Sequence, residues 1–214
     1  IGGGQAAAQF VEALRFEGHA GPVTLVSDEP HLPYQRPPLS KEFLAGERTP
    51  EWLLYRPEST YRTCAVETVL GVRAARIDTA ARRVELADGR RLPYDRLAIA
   101  TGTRVRRLTV PGADLPAVRY LRTLDDALAI RERLGTASRI VVIGGGFIGL
   151  ETAAILAKRG PAVTVLETAP RLLPRAGGGR TLGLLIEKDF PCLTERPGED
   201  DSDAFPWPET PPRC

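Results

Sequence analysis

Gly144-Gly145-Gly146-Phe147-Ile148-Gly149 follows the β-branched run Arg139-Ile140-Val141-Val142-Ile143 and opens a helical stretch over 150–158. Glycines at the first, third and sixth positions allow a tight turn, close approach of the backbone to a pyrophosphate, and packing of the helix on the strand. The helix start adds unpaired N–H groups and a positive dipole end. The next apolar run, Pro161-Ala162-Val163-Thr164-Val165-Leu166, ends in Glu167, whose carboxylate can accept hydrogen bonds from an adenosine ribose. That favours NAD over a 2′-phosphorylated cofactor, and Arg171 and Arg175 soften the preference. Gly144, Gly146, Phe147, Ile148, Gly149, Glu167 and Arg175 are the candidate contacts of this nucleotide.

A second glycine turn, Gly2-Gly3-Gly4-Gln5-Ala6-Ala7, fits G-x-G-x-x-A with Gly2, Gly4 and Ala7. Asp28 ends the strand that follows it. Gly2, Gly4, Gln5, Ala6, Ala7 and Asp28 are the candidate contacts here. Two such turns mean two bound dinucleotides, and the usual reason to hold two is to pass electrons between them.

Several elements must position these turns. Alanines with Phe10, Val11 and Leu14 at helical spacing predict a first helix over 6–16, and Pro22-Val23-Thr24-Leu25-Val26 predicts a strand. Ser40 is placed to cap a short helix over 41–45. Alternating strands run from Val66 to Leu92, with a hairpin at Asp88-Gly89. Arg96-Leu97-Ala98-Ile99-Ala100 reads as a buried strand entering Thr101-Gly102, and 124–134 as a helix. Val110-Pro111-Gly112-Ala113-Asp114 punctuates the chain as a domain boundary. Strands alternating with helices imply an α/β fold with a parallel, doubly wound sheet, repeated as two Rossmann-like units. The expected division is 1–113, 114–176 and a divergent tail over 177–214.

Hydrophobic content of 43% and charged content of 26% suit a buried globular core. A net charge of +2 argues for neither nucleic acid nor an anionic membrane as partner. No apolar run approaches the length needed to span a bilayer, and no signal-peptide core is present, so the cytoplasm is the expected compartment. Cys64, Cys192 and Cys214 have no metal-ligand spacing, and with two histidines a zinc site is not expected. His19 and His31 read as loop residues without a role.

Four strings then follow in order: Tyr34-Gln35-Arg36-Pro37-Pro38-Leu39-Ser40-Lys41, Leu92 to Gly102, Tyr120 to Ala127, and Gly144 to Glu151. Over about residues 1–176 they resemble the NADH-dependent ferredoxin reductases that serve bacterial oxygenases and cytochromes P450, of the rubredoxin and putidaredoxin reductase type. The resemblance implies a glutathione-reductase-like fold with FAD in the first domain and NADH in the second. It implies that Ala6 and Asp28 line the FAD adenosine side, that Ala74 meets the adenine through its backbone, and that Ala100-Thr101-Gly102 crosses the FAD. Arg36, Lys41 and Arg122 join them as implied flavin contacts. It further implies that Lys41 and Glu151 pair near the nicotinamide; from spacing alone they are two solvated charges. The disulfide reductases of this superfamily carry C-x-x-x-x-C in the stretch occupied here by 35–43, which has no cysteine. A one-electron acceptor is therefore expected, a ferredoxin-type 2Fe–2S protein or a rubredoxin.

The resemblance fails after Ala176. The last 24 residues hold six prolines and an acidic cluster, and read as disordered. The chain reads as incomplete at both ends, with only Ile1 ahead of the first glycine turn. Three functions stay open: hydride transfer from NADH to FAD and on to an iron–sulfur protein, an inert nucleotide-binding remnant, or a related NADH oxidase or dehydrogenase.

Overall fold

The first glycine turn feeds α1 (Gln5–Phe16), which turns Ala7, Ala8 and Val11 inward at helical spacing. It stops at Gly18, whose φ of +82° only glycine adopts freely. There Gly18 N–H donates to Arg15 O at 3.1 Å and His19 N–H to Leu14 O at 2.9 Å, the paired bonds of a Schellman cap. The computed structural model describes residues 1–169 and 171–173.

Contacts divide the chain into two units, one of Ile1–Leu39 with Arg48–Asp126, the other of Ser40–Glu47 with the residues from Ala127 onward. In the first, β1 (Val23–Val26) pairs in parallel with β2 (Val66–Val69), Val23 opposite Val66. Two short helices, α2 (Pro50–Leu53) and α3 (Glu58–Thr63), lead into β2. A meander of β3 (Ala74–Asp78), β4 (Arg83–Leu86) and β5 (Arg91–Pro93) follows, antiparallel throughout. Its hairpin turns at Asp88-Gly89 as expected, with Gly89 at φ +88°. One core gathers Ala7, Val11, Leu25, Tyr61 and Val66; a second gathers Val26, Val69, Val84 and Leu86.

In the second unit β6 (Arg139–Ile143) and β7 (Ala162–Leu166) pair in parallel across α5 (Phe147–Lys158). Leu150, Ala153 and Leu156 of α5 are buried, and Val142, Val163 and Val165 pack toward them. The helix α4 (Leu124–Leu134) begins in the first unit and continues in the second. Leu44, Leu134 and Leu156 form one buried cluster, which fastens Ser40–Glu47 to this unit.

Three expectations change. The helical turn near Ser40 is a 3₁₀ turn over Pro37–Ser40, because the two prolines preset φ there; Lys41 to Gly46 form turns instead. Arg96 to Ala100 is not a strand: among the described residues its backbone bonds reach only Ile1, through Ile1 N to Ala98 O at 2.8 Å and Ala100 N to Ile1 O at 2.7 Å. Nor is it buried, since Ile99 is 63% exposed. Val110 to Asp114 is a turn inside the first unit, while the contact boundary falls within α4. The tail over 177–214 and Arg175 lie outside the described residues.

Candidate functional site

In the first unit Gly2 N–H donates to Val26 O at 2.8 Å, which aligns the glycine turn with the end of β1. A Cβ on Gly2, at φ +128°, would stand 2.1 Å from Ala100 O, so only glycine lets the turn lie against Ala100 and Thr101. A Cβ on Gly3 would stand 2.3 Å from Ser27 Oγ, which sets this turn beside the strand end carrying exposed Asp28. Gly4 differs, since a Cβ there would meet nothing within 4 Å. Gly4 caps α1 without a side-chain hydrogen bond, leaving the first-turn N–H groups beside exposed Gln5 and Ala6 without a capping side chain.

Arg122 completes this cluster. Its Nε donates to Thr103 O at 3.2 Å, and its Nη2 lies 3.6 Å from a Cβ placed on Gly102. Gly102, at φ +64°, turns the chain there. Ala74 starts β3 opposite Leu86 and packs in the Val26–Val69 core with Ile1. Arg36 is held by Glu29, by the Tyr34 hydroxyl and by the Arg122 carbonyl. A hollow of about 300 Å³ also opens on this unit, lined by His31, Leu54, Glu58, Leu70 and Leu124 among others, but no glycine-turn residue lines it.

In the second unit Gly144, at φ +112°, donates to Leu166 O at 2.8 Å and brings the turn back to β7. A Cβ on Gly149 would stand 1.9 Å from Gly144 O, so the helix packs on the turn as the spacing requires. Gly146 caps α5 with no side-chain bond, and a Cβ on Gly144 or Gly146 would meet nothing within 4 Å. Phe147 and Ile148 are 59% and 62% exposed at the helix start.

Glu167 is tied into that turn. Its carboxylate accepts N–H bonds from Gly145 at 2.7 Å, Thr168 at 2.7 Å and Ala169 at 3.0 Å. These bonds, led by Ala169 and then Gly145, draw its pKa down to about 2, so it is anionic at neutral pH. Glu151, five positions into α5, accepts the Ser40 hydroxyl at 3.1 Å on Oε2 and lies 3.5 Å from Lys41 Nζ on Oε1. The structure thus pairs Lys41 with Glu151 inside the second unit and assembles the remaining first-turn candidates inside the first.

Three side chains outside the expected set prove well placed. Glu29 and Tyr34 support Arg36, and Ser40 supports Glu151. Their proximity to Asp28 and Lys41 in the chain was the available signal. His31, read as a bare loop residue, pairs with Asp125 at 2.7 Å. Cys64 is a half-buried free thiol packed against the α1 core. Among the described residues no group of three or more His, Cys, Asp or Glu could hold a metal ion, and no helix is long and apolar enough to cross a membrane.

Each unit joins a glycine turn and a helix start without a side-chain cap to a parallel strand pair, an α/β arrangement, and the chain belongs to the pyridine nucleotide-disulphide oxidoreductase family, whose sequence profile matches residues 1–189. It is 47% identical over 176 residues to rhodocoxin reductase of Rhodococcus erythropolis, covering 82% of this chain and 41% of that one. Among solved structures, the ferredoxin reductase for the CYP199A2 system of Rhodopseudomonas palustris superposes with a TM-score of 0.83 at 41% identity, over 88% of this chain and 46% of that one. The reductase in the covalent putidaredoxin reductase–putidaredoxin complex superposes at 0.79 with 40% identity, over 87% and 45%. The chain therefore spans less than half the length of these relatives.

The residues present fit the FAD that the family implies. An uncapped α1 start, open space above Gly4, and a guanidinium at the Gly102 turn are what a dinucleotide pyrophosphate needs.

Proposed function

We propose that the chain is the nucleotide-binding part of an FAD-dependent NADH oxidoreductase of the ferredoxin reductase type, working in the cytoplasm with a ferredoxin-type 2Fe–2S protein or a rubredoxin. Bound FAD would supply the two-electron to one-electron step, taking hydride from NADH and releasing electrons singly. The unit of Ile1–Leu39 with Arg48–Asp126 would carry the FAD grip, and the unit from Ala127 onward the NADH grip. Gly2, Gly4, Gln5, Ala6 and Ala7 would hold FAD phosphate through backbone N–H groups, with Asp28 and Ala74 toward the adenosine, and Ala100, Thr101, Gly102 and Arg122 across the cofactor. Gly144, Gly146, Phe147, Ile148 and Gly149 would hold the NADH pyrophosphate. Lys41 would bring a positive charge to the redox centre, where it favours a reduced, anionic ring, and Glu151 would orient it.

The observation that carries this reading is the duplicated arrangement of glycine turn, uncapped helix and open space at Gly4 and Gly146. Named relatives supply the acceptor class, because a solved neighbour is bound covalently to putidaredoxin. Ionised Glu167 supports NADH over NADPH, since an anion at the ribose repels a 2′-phosphate.

The test is a titration of purified protein with FAD, followed by flavin absorbance and fluorescence. Saturable binding, bleaching of the flavin by NADH, and cytochrome c reduction that requires added putidaredoxin are expected. Absence of FAD binding refutes the reading. Equal cytochrome c rates without the iron–sulfur protein would favour an oxidase or dehydrogenase instead.

A further inference from the structure

Tyr34 is 1% exposed, and its hydroxyl uses its full bonding capacity. It accepts the Leu124 N–H at 2.8 Å and an Arg36 Nη1–H at 3.2 Å, and it donates to Glu29 Oε2. The other Glu29 oxygen receives Arg36 Nη2. Arg36 Nη1 also donates to the Arg122 carbonyl at 2.9 Å, joining two segments 86 residues apart. Asp126 Oδ2 meanwhile accepts the N–H of Arg122 at 3.0 Å and of Thr123 at 2.8 Å. The Arg122 peptide is thus fixed at both its N–H and its carbonyl, while its guanidinium is held at Thr103.

We infer that Arg36 is a positioning residue for the FAD site: with Glu29 and Tyr34 it clamps the Arg122 carbonyl and so sets the Arg122 guanidinium at the Gly102 turn. This rests on the reading that Arg122 meets FAD. It adds a supporting role to the flavin contact that the resemblance implies for Arg36. The planar fork matters, because one guanidinium serves a carboxylate, a hydroxyl and a carbonyl at once, and an ammonium cannot reproduce that geometry. Glu29 and Arg36 are 16% and 25% exposed, so removing one leaves the other poorly solvated.

The experiment measures FAD Kd by quenching of flavin fluorescence, with the Tm of the FAD-free protein recorded alongside. Its variants are Arg122→Ala, Arg36→Gln, Arg36→Lys, and the Arg36→Gln/Arg122→Ala pair. Arg122→Ala and Arg36→Gln are each expected to weaken FAD by about tenfold or more, and the double variant to be no weaker than Arg122→Ala alone. Arg36→Lys is expected to stay folded and still lose affinity. An unchanged Kd in both Arg36 variants beside a weakened Arg122→Ala overturns the clamp, as does full additivity in the pair, which would mean independent action. An unchanged Kd in Arg122→Ala removes instead the reading that Arg122 meets FAD, and the clamp with it. A lowered Tm with wild-type Kd in the folded fraction would reduce Arg36 to a purely structural tie.

Discussion

The Glu167 carboxylate accepts the Gly145 N–H at 2.7 Å, so the acidic end of β7 is bonded into the glycine turn of the same unit. Two further N–H groups, of Thr168 and Ala169, fix the carboxylate. Their combined effect is a pKa near 2 against an ordinary 4.5. A carboxylate depressed in the folded state contributes stability above its unfolded pKa and loses it as pH falls through the folded one. Site-resolved NMR titration should therefore place the Glu167 midpoint near 2, and stability owed to it should fade between about pH 4.5 and 2. A midpoint near 4.5 would mean that these bonds do not persist in solution. Glu167→Gln should narrow the gap between NADH and NADPH affinities.

The two glycines that bracket the start of α5 should separate folding from binding. At Gly149 a Cβ would meet backbone 1.9 Å away, and overpacking of that kind costs about 1–3 kcal/mol. Gly146 has φ −81° and open space, so Gly146→Ala should leave denaturant stability unchanged or slightly raised. The same methyl enters the space proposed for the pyrophosphate, and NADH affinity should fall. Matched chemical denaturation and NADH titration of the two variants would show the contrast, and loss of stability in Gly146→Ala would contradict it.

Arg15 ends α1 as a tie rather than a solvated charge. It donates to Cys64 O at 2.7 Å, Gly21 O at 2.9 Å and Ala65 O at 3.1 Å, and also to His19 O. Ala65, at φ +48°, sits in the strained left-handed region that this bonding supports. Arg15→Met should lower unfolding free energy by about 1–3 kcal/mol through the orphaned carbonyls, and Arg15→Lys should restore only part. Urea denaturation midpoints would decide.

Tyr61 is 4% exposed, and its hydroxyl has no hydrogen-bond partner among the described residues. Burial, with Glu12 adding to it, pushes its pKa up to about 12 from 10. A raised pKa gives stability that is complete below pH 10 and is lost as pH climbs toward 12. Tyr61→Phe removes an unpaired polar atom from the core, so it should be neutral or stabilising, and it should flatten part of the alkaline loss. Thermal melts from pH 8 to 11 would test both signs.

The elements legible in the chain were those whose pattern is local. The Leu124–Leu134 helix, the Asp88-Gly89 hairpin and the βαβ unit from Arg139 to Leu166 follow from period and turn chemistry. Where position depended on distant partners, the pattern misled. Arg96 to Ala100 has a strand's composition, but among the described residues its backbone bonds run to Ile1 and form no ladder. The helices α2 and α3 escaped because four and six residues are too few to show a period. Likewise the glycines announced their turns, whereas the bonds from Arg36 to Arg122 and from Ser40 to Glu151 span distances along the chain that no short motif encodes.

Two separate dinucleotide grips in one chain are tested most directly by titrating FAD and then NADH into wild type, Gly4→Ala and Gly146→Ala. Both positions are open to a methyl, so neither substitution should disturb the fold. Gly4→Ala should weaken FAD and spare NADH, and Gly146→Ala should do the reverse, each by about tenfold or more. If one substitution weakens both ligands equally, or neither weakens either, the two glycine turns are not the two grips.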